Sequence, residues 1–511
     1  MRRTVAAAVA LSTALSLAIL SSPSSSAAVE ETGHGTTAVG PAGVRAQRAL
    51  RTATQALAGD ALRTDPSMAL LRLRLTMGAL PPADRRQAAM MLARPTDNPD
   101  FYGQTYSVKA EEKCAGHICI HWVPTTRDAP PSTRWVTRQL HMLNHVWSFE
   151  VEKLGYHPPI SDGSRGGGGS GRFDVYLKEL HHQGLYGLTV AEQRASSNKN
   201  LYSSYLLLDN DFERSQYGSN PMQVARVTAA HEFFHAIQYG YDAHEDLWML
   251  ESTATWMEDQ FDDSSNDNRQ YLPWSQLRRP GTPLDTYDST GFEQYGNWVF
   301  FQYLSERLGR GIVRSIWKHA AAFRGGGHEY SAAAIRSALR KHGGMTKVFG
   351  GYASGNTVPG RTYSEGRFYP AAPVRSSVTL TRTAPSTAWT SYAVKHLASI
   401  DLEAKPGADL VAKQWRLRIK VDGPARSAMP AVVVLVDRKH HPMTRQWVPL
   451  SRTGSGSVQV PFSRATTQRV TLTLANSSTR FRCNTGGGYS CDGTPTAPHP
   501  RFRVKLIAIT R

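Results

Sequence analysis

The chain has 511 residues, 59 Lys and Arg against 41 Asp and Glu, only four cysteines, and a sequence pI near 9.8. This length is too great for one ordinary domain and calls for two or three. The net charge of +18 reads as scattered Arg and Lys without a basic stripe or a recognised module. That excludes a nucleic-acid partner and leaves a solvated arginine-rich surface with weak attraction to anionic cell-envelope polymers.

At the N-terminus Arg2 and Arg3 precede an apolar run, Val5 to Leu20, and small residues at Ser26-Ala27-Ala28. This is the pattern of a secretory signal, assigned to residues 1–28. No later segment is apolar and long enough to span a bilayer, so the sequence predicts a secreted, extracellular chain without a transmembrane segment after signal removal. Residues 29–45 are rich in Gly, Ala and Thr and predict disorder. Residues 46–95 predict two or three helices, with Leu70, Leu71, Leu73 and Leu75 apolar and Pro81-Pro82 as a break. The segment 29–100 is therefore a helical prosegment or an N-terminal lobe.

Ile118 to Val123 reads as a strand. Ser132 is placed to cap a helix with Val136, Leu140, Leu143, Trp147 and Leu154 on one face. His141 and His145 lie off that stripe and read as surface residues. Gly166 to Gly169 form a loop before a strand at Phe173–Leu177, and Tyr205–Asp209 reads as another strand. Four cysteines suit an oxidising compartment, and their clustering favours two local bridges, Cys114–Cys119 and Cys483–Cys491.

Asn220-Pro221-Met222-Gln223 then opens a helix as an N-cap, a proline at N1 and a capping-box glutamine, with Gly240 as its C′ residue. This helix carries His231-Glu232-Phe233-Phe234-His235. Two histidines four apart project from one helix face and can hold one zinc ion, with Glu232 beside it as general base. A catalytic zinc takes three protein ligands, and Glu251 on the next helical segment is the third candidate. His244, Asp242, Glu245 and Asp246 in the intervening loop compete with it. Glu258, two turns further on, is placed as a carboxylate orienting one of the imidazoles, against the alternative of an exposed helix residue. Asp262 to Asn268 is rich in oxygen ligands, but a solvated acidic loop is the expectation there rather than a structural calcium site.

His231 to His235 followed by Glu251-Ser252-Thr253-Ala254 resembles the gluzincin metallopeptidases, the group of thermolysin and the zinc aminopeptidases. Trp248, Glu251, Ala254 and Glu258 match the aminopeptidase segment after HExxH, with Ser252 in place of a glycine. The aminopeptidase substrate motif Gly-x-Met-Glu-Asn is absent, so amino-terminal specificity is not implied. The metzincin pattern fails, because Gln238 and Tyr241 stand where it needs glycine and histidine. Tyr295 to Leu304 reads as one apolar helix opening with a tyrosine, and the resemblance implies that Tyr295 stabilises the oxyanion. It also implies that Tyr205–Asp209 edges the cleft and pairs with extended substrate.

From residue 373 the texture becomes strand-rich. Trp415 to Val421 alternates in period two, and Val432–Val436, Val458–Phe462, Val470–Leu474 and Phe502–Ile509 follow between turn residues. The expected architecture is α+β: a gluzincin-type catalytic domain at 101–372, with a small sheet and zinc-binding helices, followed by an all-β sandwich at 373–511. The expected function is a secreted endopeptidase with one catalytic zinc, acting on protein or peptide substrates. The alternatives are a zinc amidohydrolase on cell-wall peptides and a catalytically vestigial surface-binding protein.

Overall fold

The computed structural model describes residues 40–58, 66–97, 105–166, 171–289, 291–439 and 443–510. The signal segment 1–28, residues 29–39 of the expected disordered stretch and Gly167–Gly169 of the glycine loop lie outside the described residues. Disorder is not found up to residue 45: helix α1 (Pro41–Leu57) opens with proline at its start and buries Ala46, Ala49, Leu50 and Ala53. With α2 (Pro66–Thr76) and α3 (Pro82–Met91) it makes three helices, where two or three are expected.

These helices cover one face of a five-stranded sheet. Its strands are β1 (Glu111–Ala115), β2 (Ile118–Trp122), β3 (Phe173–Lys178), β4 (Gly187–Arg194) and β5 (Tyr202–Asp209), in the order β1-β2-β3-β5-β4. β2, β3 and β5 run parallel, and β1 and β4 pair antiparallel at the two ends. Residues facing α1–α3 include Tyr176, Leu188, Val190, Tyr205 and Leu207, all buried in a core shared with Leu50, Leu70 and Leu73. Burying each such side chain stabilises the fold by about 1.5–3 kcal/mol. The helices are also tied by charge. Arg94, 1 % exposed, lies 2.5 Å from Asp174, 2.5 Å from Asp162 and 2.6 Å from Glu192. Removing one side of such a buried cluster costs about 3–5 kcal/mol, because charge is left without its partner.

The expectation that Tyr205–Asp209 forms a cleft edge is corrected. β5 lies inside the sheet between β3 and β4, and β4 is the edge strand. Two of its outward backbone groups are already engaged by α2: Thr189 N–H donates to Ser67 Oγ, and Arg74 Nε donates to Ala191 O. A one-strand difference of this kind is invisible in sequence, because pairing order is set between segments and β4, with Gly187, Thr189, Glu192 and Gln193, has no apolar run to announce a further strand.

The other sheet face packs against α4 (Thr133–Trp147) and α6 (Pro221–Asp242). Ser132 accepts the Trp135 N–H as the cap reading requires. A short helix, α5 (Arg214–Tyr217), precedes α6. Asn220 Oδ1 accepts from Met222 N and Gln223 N, so the N-cap is found. The Gln223 side chain does not close a capping box; its Nε2 donates to Ser265 instead. Nor is Gly240 a C′ residue. The helix continues to Asp242, where Tyr241 packs edge-on to Tyr156, Trp317 and Phe323. Tertiary packing outweighs the helix-breaking tendency of one glycine, which costs only about 1 kcal/mol.

After α6 come α7 (Leu247–Phe261), α8 (Glu293–Gly296), α9 (Trp298–Leu308), α10 (Gly311–Ala320), α11 (Ser331–Ala338) and α12 (Gly344–Gly355). Next is a strand-rich region with two sheets. One has the order β11-β10-β13-β8-β6 and the other β12-β9-β16-β7. The strands are β6 (Ser376–Leu380), β7 (Thr390–Ala393), β8 (Ala398–Pro406), β9 (Arg416–Asp422), β10 (Pro430–Arg438), β11 (Thr444–Trp447), β12 (Ser455–Pro461), β13 (Thr467–Asn476) and β16 (Arg501–Ile509). A small pair, β14 (Phe481–Arg482) and β15 (Thr494–Pro495), interrupts them. Leu417, Ile419, Val434, Leu472 and Val504 meet between the sheets in a separate core.

The outer face of the five-stranded sheet packs on α12, which is why β10 is buried on both faces. A Cβ on Gly350 would come within 2.9 Å of Ala431 Cβ and the Trp447 ring, so this contact requires glycine. From Pro41 onward the chain forms one compact unit. Both expected disulfides are present. Cys114–Cys119 joins residues directly opposite in the β1–β2 hairpin, and Cys483–Cys491 closes the loop after β14.

Candidate metal centre

α6 and α7 pack side by side, and their facing residues form the site. His231 Nε2 and His235 Nε2 lie 3.0 Å apart on α6. Glu251 on α7 points between them, with Oε2 3.3 Å from His231 Nε2 and Oε1 3.4 Å from His235 Nε2. Glu251 is fully buried, and neither of its carboxylate oxygens accepts a hydrogen bond. A buried carboxylate left without donors is costly unless a cation sits against it. Two imidazole nitrogens and one carboxylate, all converging, are the donor set of a divalent zinc site. These residues therefore fit a metal ion, and His231, His235 and Glu251 would hold it.

The competing third ligands are engaged elsewhere. His244 is exposed. Asp242 accepts from His244 N and Asn200 Nδ2, Glu245 from Ser331 N and Asp246 N, and Asp246 from Ser331 Oγ and Cys491 N. His141 and His145 are exposed on α4, as the sequence reading placed them.

The charge balance follows from the geometry. Burial by itself would raise the Glu251 carboxyl, but the two imidazoles hold it well below the usual carboxylate range. Burial disfavours the charged imidazoles, yet Glu251 and Glu258 together push His231 well up, and Glu251 raises His235. Positive charge is thus favoured between these groups, and metal binding has to displace protons there.

Each imidazole is oriented from behind. His231 Nδ1 lies 2.6 Å from Glu258 Oε1, where the sequence reading places that carboxylate. Burial pushes the Glu258 carboxyl up to about 7. His235 Nδ1 lies 2.7 Å from Gln238 Oε1, and Gln238 Nε2 donates to Leu250 O and Thr253 Oγ1 of α7. Trp317 Nε1 also donates to that hydroxyl. Gln238 figures in the sequence reading only as a mismatch to another pattern. Its spacing of three from His235 on one helix was the available signal.

Glu232, next to His231 on α6, is held by groups of β4 and α2. Its Oε2 accepts from Thr189 Oγ1 at 2.7 Å and from Ser67 Oγ at 3.2 Å, and Thr189 Oγ1 also reaches the Glu232 carbonyl. One carboxylate oxygen is therefore fixed by β4 and α2. No sequence signal marks Ser67 or Thr189, because they lie 165 and 43 residues from Glu232.

Glu232 and His231 line a cleft of about 380 Å³ whose far wall is aromatic: Tyr186, Tyr271, Trp274, Phe292 and Tyr295. Tyr295 lies in α8, with its ring centroid 6.2 Å from that of His231 and 4.9 Å from that of Tyr271. Gly296 allows this approach, since a Cβ there would fall 2.7 Å from Ser275 N. The apolar stretch is not one helix opening at Tyr295, because α8 ends at Gly296 and α9 begins at Trp298.

The acidic run after α7 contributes Asp263 to a second group with Asp259 and Glu365. Its charges are largely answered by protein. Arg226 pairs with Asp262, Arg269 pairs with Glu365, and Asn268 and Gln260 donate to Asp259.

A family of unknown function, DUF6055, matches residues 217–325. That stretch holds His231, Glu232, His235, Glu251, Glu258 and Tyr295, but it is well under half of the chain. No curated protein matches. No helix among the described residues is long and apolar enough to cross a membrane.

Proposed function

We propose that this chain is a zinc-dependent endopeptidase of gluzincin type, exported and acting on protein or peptide substrates. The observation that carries the reading is the buried, donor-free Glu251 carboxylate facing two Nε2 atoms, with Glu232 beside them and open to the cleft. The two disulfides and the absence of a membrane-spanning helix among the described residues agree with export.

When bound, zinc supplies Lewis-acid activation of water and of the scissile carbonyl. The residues of the chain do the rest. Glu232 takes the proton of the attacking water and passes it to the leaving amine. Ser67 and Thr189 hold Oε2 of that carboxylate, so its rotamer is set before substrate arrives. Tyr295 donates its hydroxyl to the developing oxyanion. Side chains of the substrate rest on the aromatic wall. Strand pairing along β4 contributes little, because α2 occupies Thr189 N and Ala191 O.

In this reading α1–α3 are a permanent lobe rather than a discarded prosegment. Removing the segment that carries them and Arg94 would strip Asp174 and Glu192 of their cation and bare the sheet face on which Leu50, Leu70 and Leu73 pack. Intact mass of the secreted chain tests this, and a mature N-terminus beyond Arg94 would contradict it.

The deciding experiment is hydrolysis of casein and of defined peptides by the purified chain. Chelation should abolish hydrolysis and zinc should restore it. Glu232→Gln should keep one zinc per chain and lose turnover, and Tyr295→Phe should lower kcat about a hundredfold with little change in KM. Near-normal turnover in Glu232→Gln would overturn the mechanism. Cleavage of muropeptides but of no protein would move the reading to an amidohydrolase.

A further inference from the structure

The basic residues of this chain are not scattered. Residues 373–511 carry 21 Lys and Arg against six Asp and Glu, a net +15 of the chain's +18. The remaining 372 residues are close to neutral. The charge is therefore a property of the β-rich region, and the strand register shows where part of it gathers.

In the sheet β12-β9-β16-β7, Leu417, Ile419, Val421, Phe502, Val504 and Leu506 point into the core between the sheets. Alternation puts their neighbours on the opposite face. These are Arg416, Arg418 and Lys420 on β9, and Arg501, Arg503 and Lys505 on β16. β9 and β16 are adjacent and antiparallel, with Lys420 directly opposite Lys505, Arg418 opposite Ile507 and Asp422 opposite Arg503. Asp422 is the one acid these two strands place on that face, and it lies 3.5 Å from Arg503. β12 adds the uncharged Ser455, Ser457, Gln459 and Pro461 there. Like charges directly opposite on a sheet destabilise it. The fold keeps this arrangement on the sheet turned away from the helices, with Lys420, Arg501 and Arg503 exposed.

We propose that this face is a docking surface for a linear phosphodiester polyanion of the cell-envelope type. The chemistry is matched in two ways. Cations on alternate residues of one strand recur about every 7 Å, and the two rows meet at Lys420–Lys505, so that together they make one stepped line from Arg416 to Arg501. An extended chain with one charge per repeat can follow such rows without a shaped pocket. Single-stranded nucleic acid would in addition need bare aromatic faces for its bases. Of the two tryptophans beside the sheet, Trp415 is half-buried with Arg382 6.0 Å from its ring, and Trp389, 41 % exposed, has Arg503 over its ring at 5.3 Å, which leaves at most one ring for base stacking. Such a surface would hold the chain at an envelope polymer while the cleft, in the other part of the molecule, stays open.

The test is titration of a fluorescent synthetic glycerol-phosphate oligomer into the full chain near physiological salt. The wild type should bind with a steep salt dependence. Lys420→Glu with Lys505→Glu should weaken binding at least tenfold and flatten that dependence. Arg375→Glu with Lys439→Glu, at the ends of β6 and β10 of the other sheet, makes the same change in net charge and should cost less than twofold. Lys420→Glu alone places opposite charges on the Lys420–Lys505 pair. It should raise the melting temperature while weakening binding, so a folding defect cannot be mistaken for the effect. Equal losses in the two double variants would overturn the proposal, since net charge alone would then explain binding. So would competition by a single-stranded DNA oligonucleotide at equal or better affinity, or no binding by the wild type. None of these readouts depends on the metal centre.

Discussion

Gln238→Leu isolates the part of the metal centre that only the structure exposes. The substitution roughly conserves volume, so α6 and α7 should still pack. It removes the acceptor 2.7 Å from His235 Nδ1 and the two donors to α7. In the metal-bound state His235 offers Nε2 to zinc, so its proton sits on Nδ1 and needs that acceptor. In the metal-free state the ring can place its proton on Nε2, facing Glu251 3.4 Å away. The cost of an unsatisfied buried N–H, about 1–3 kcal/mol, therefore falls mainly on the bound form. Zinc affinity should drop about 10- to 100-fold, equivalent to about 1.4–2.7 kcal/mol. Competition against a chromophoric chelator measures this directly, and thermal unfolding of the metal-free protein reports any packing loss. A zinc affinity within twofold of wild type, with an unchanged metal-free melting temperature, would refute the orienting role. A large drop in metal-free stability would show instead that Gln238 mainly ties the two helices together.

Glu251→Ala should lose most of its zinc on dialysis while His244→Ala keeps one per chain; metal analysis of the two decides the third ligand. Ser67→Ala should lower kcat/KM about tenfold and Thr189→Val by more, since each removes a hydrogen bond to the Glu232 carboxylate, and both should retain zinc; unchanged kinetics in both would remove α2 and β4 from the catalytic geometry. Asp401 in β8 is fully buried, with Thr473 Oγ1 2.5 Å from one oxygen and no partner on the other, and burial pushes its carboxyl up to about 7. Its folded value lies above the unfolded one near 4, so the folded state holds the extra proton between them, and stability should fall as pH rises from about 4 to 7 and then level off. Asp401→Asn should match wild type in urea unfolding at pH 4 and exceed it at pH 8 by at most about 4 kcal/mol; equal stability at pH 8 would contradict that account.

The local text of the chain marks much of the candidate site and little of its setting. His231, Glu232 and His235 were legible because helical periodicity converts spacing into a shared face. Glu251 and Glu258 were legible because a second helix followed within a short loop, and the two disulfides because their cysteines are close in sequence. The alternation of Trp415 to Val421 likewise predicts a strand, and the structure has it in β9, Arg416–Asp422.

What the sequence left open depends on contacts between distant segments. Whether β5 or β4 edges the sheet is fixed by strand pairing, and nothing in the local text of β5 reports which strand lies beside it. Ser67 reaches Glu232 only because α2 lies along β4. Gly240 stays helical because Tyr241 finds an aromatic pocket. The gathering of basic residues on one face was masked because Lys420 and Lys505 are 85 positions apart in sequence and become neighbours only through the β9–β16 register. Local periodicity determines which face a residue takes within its own element; only tertiary packing decides which faces meet, and both the orientation of His235 and the charge of the outer sheet are set at that level.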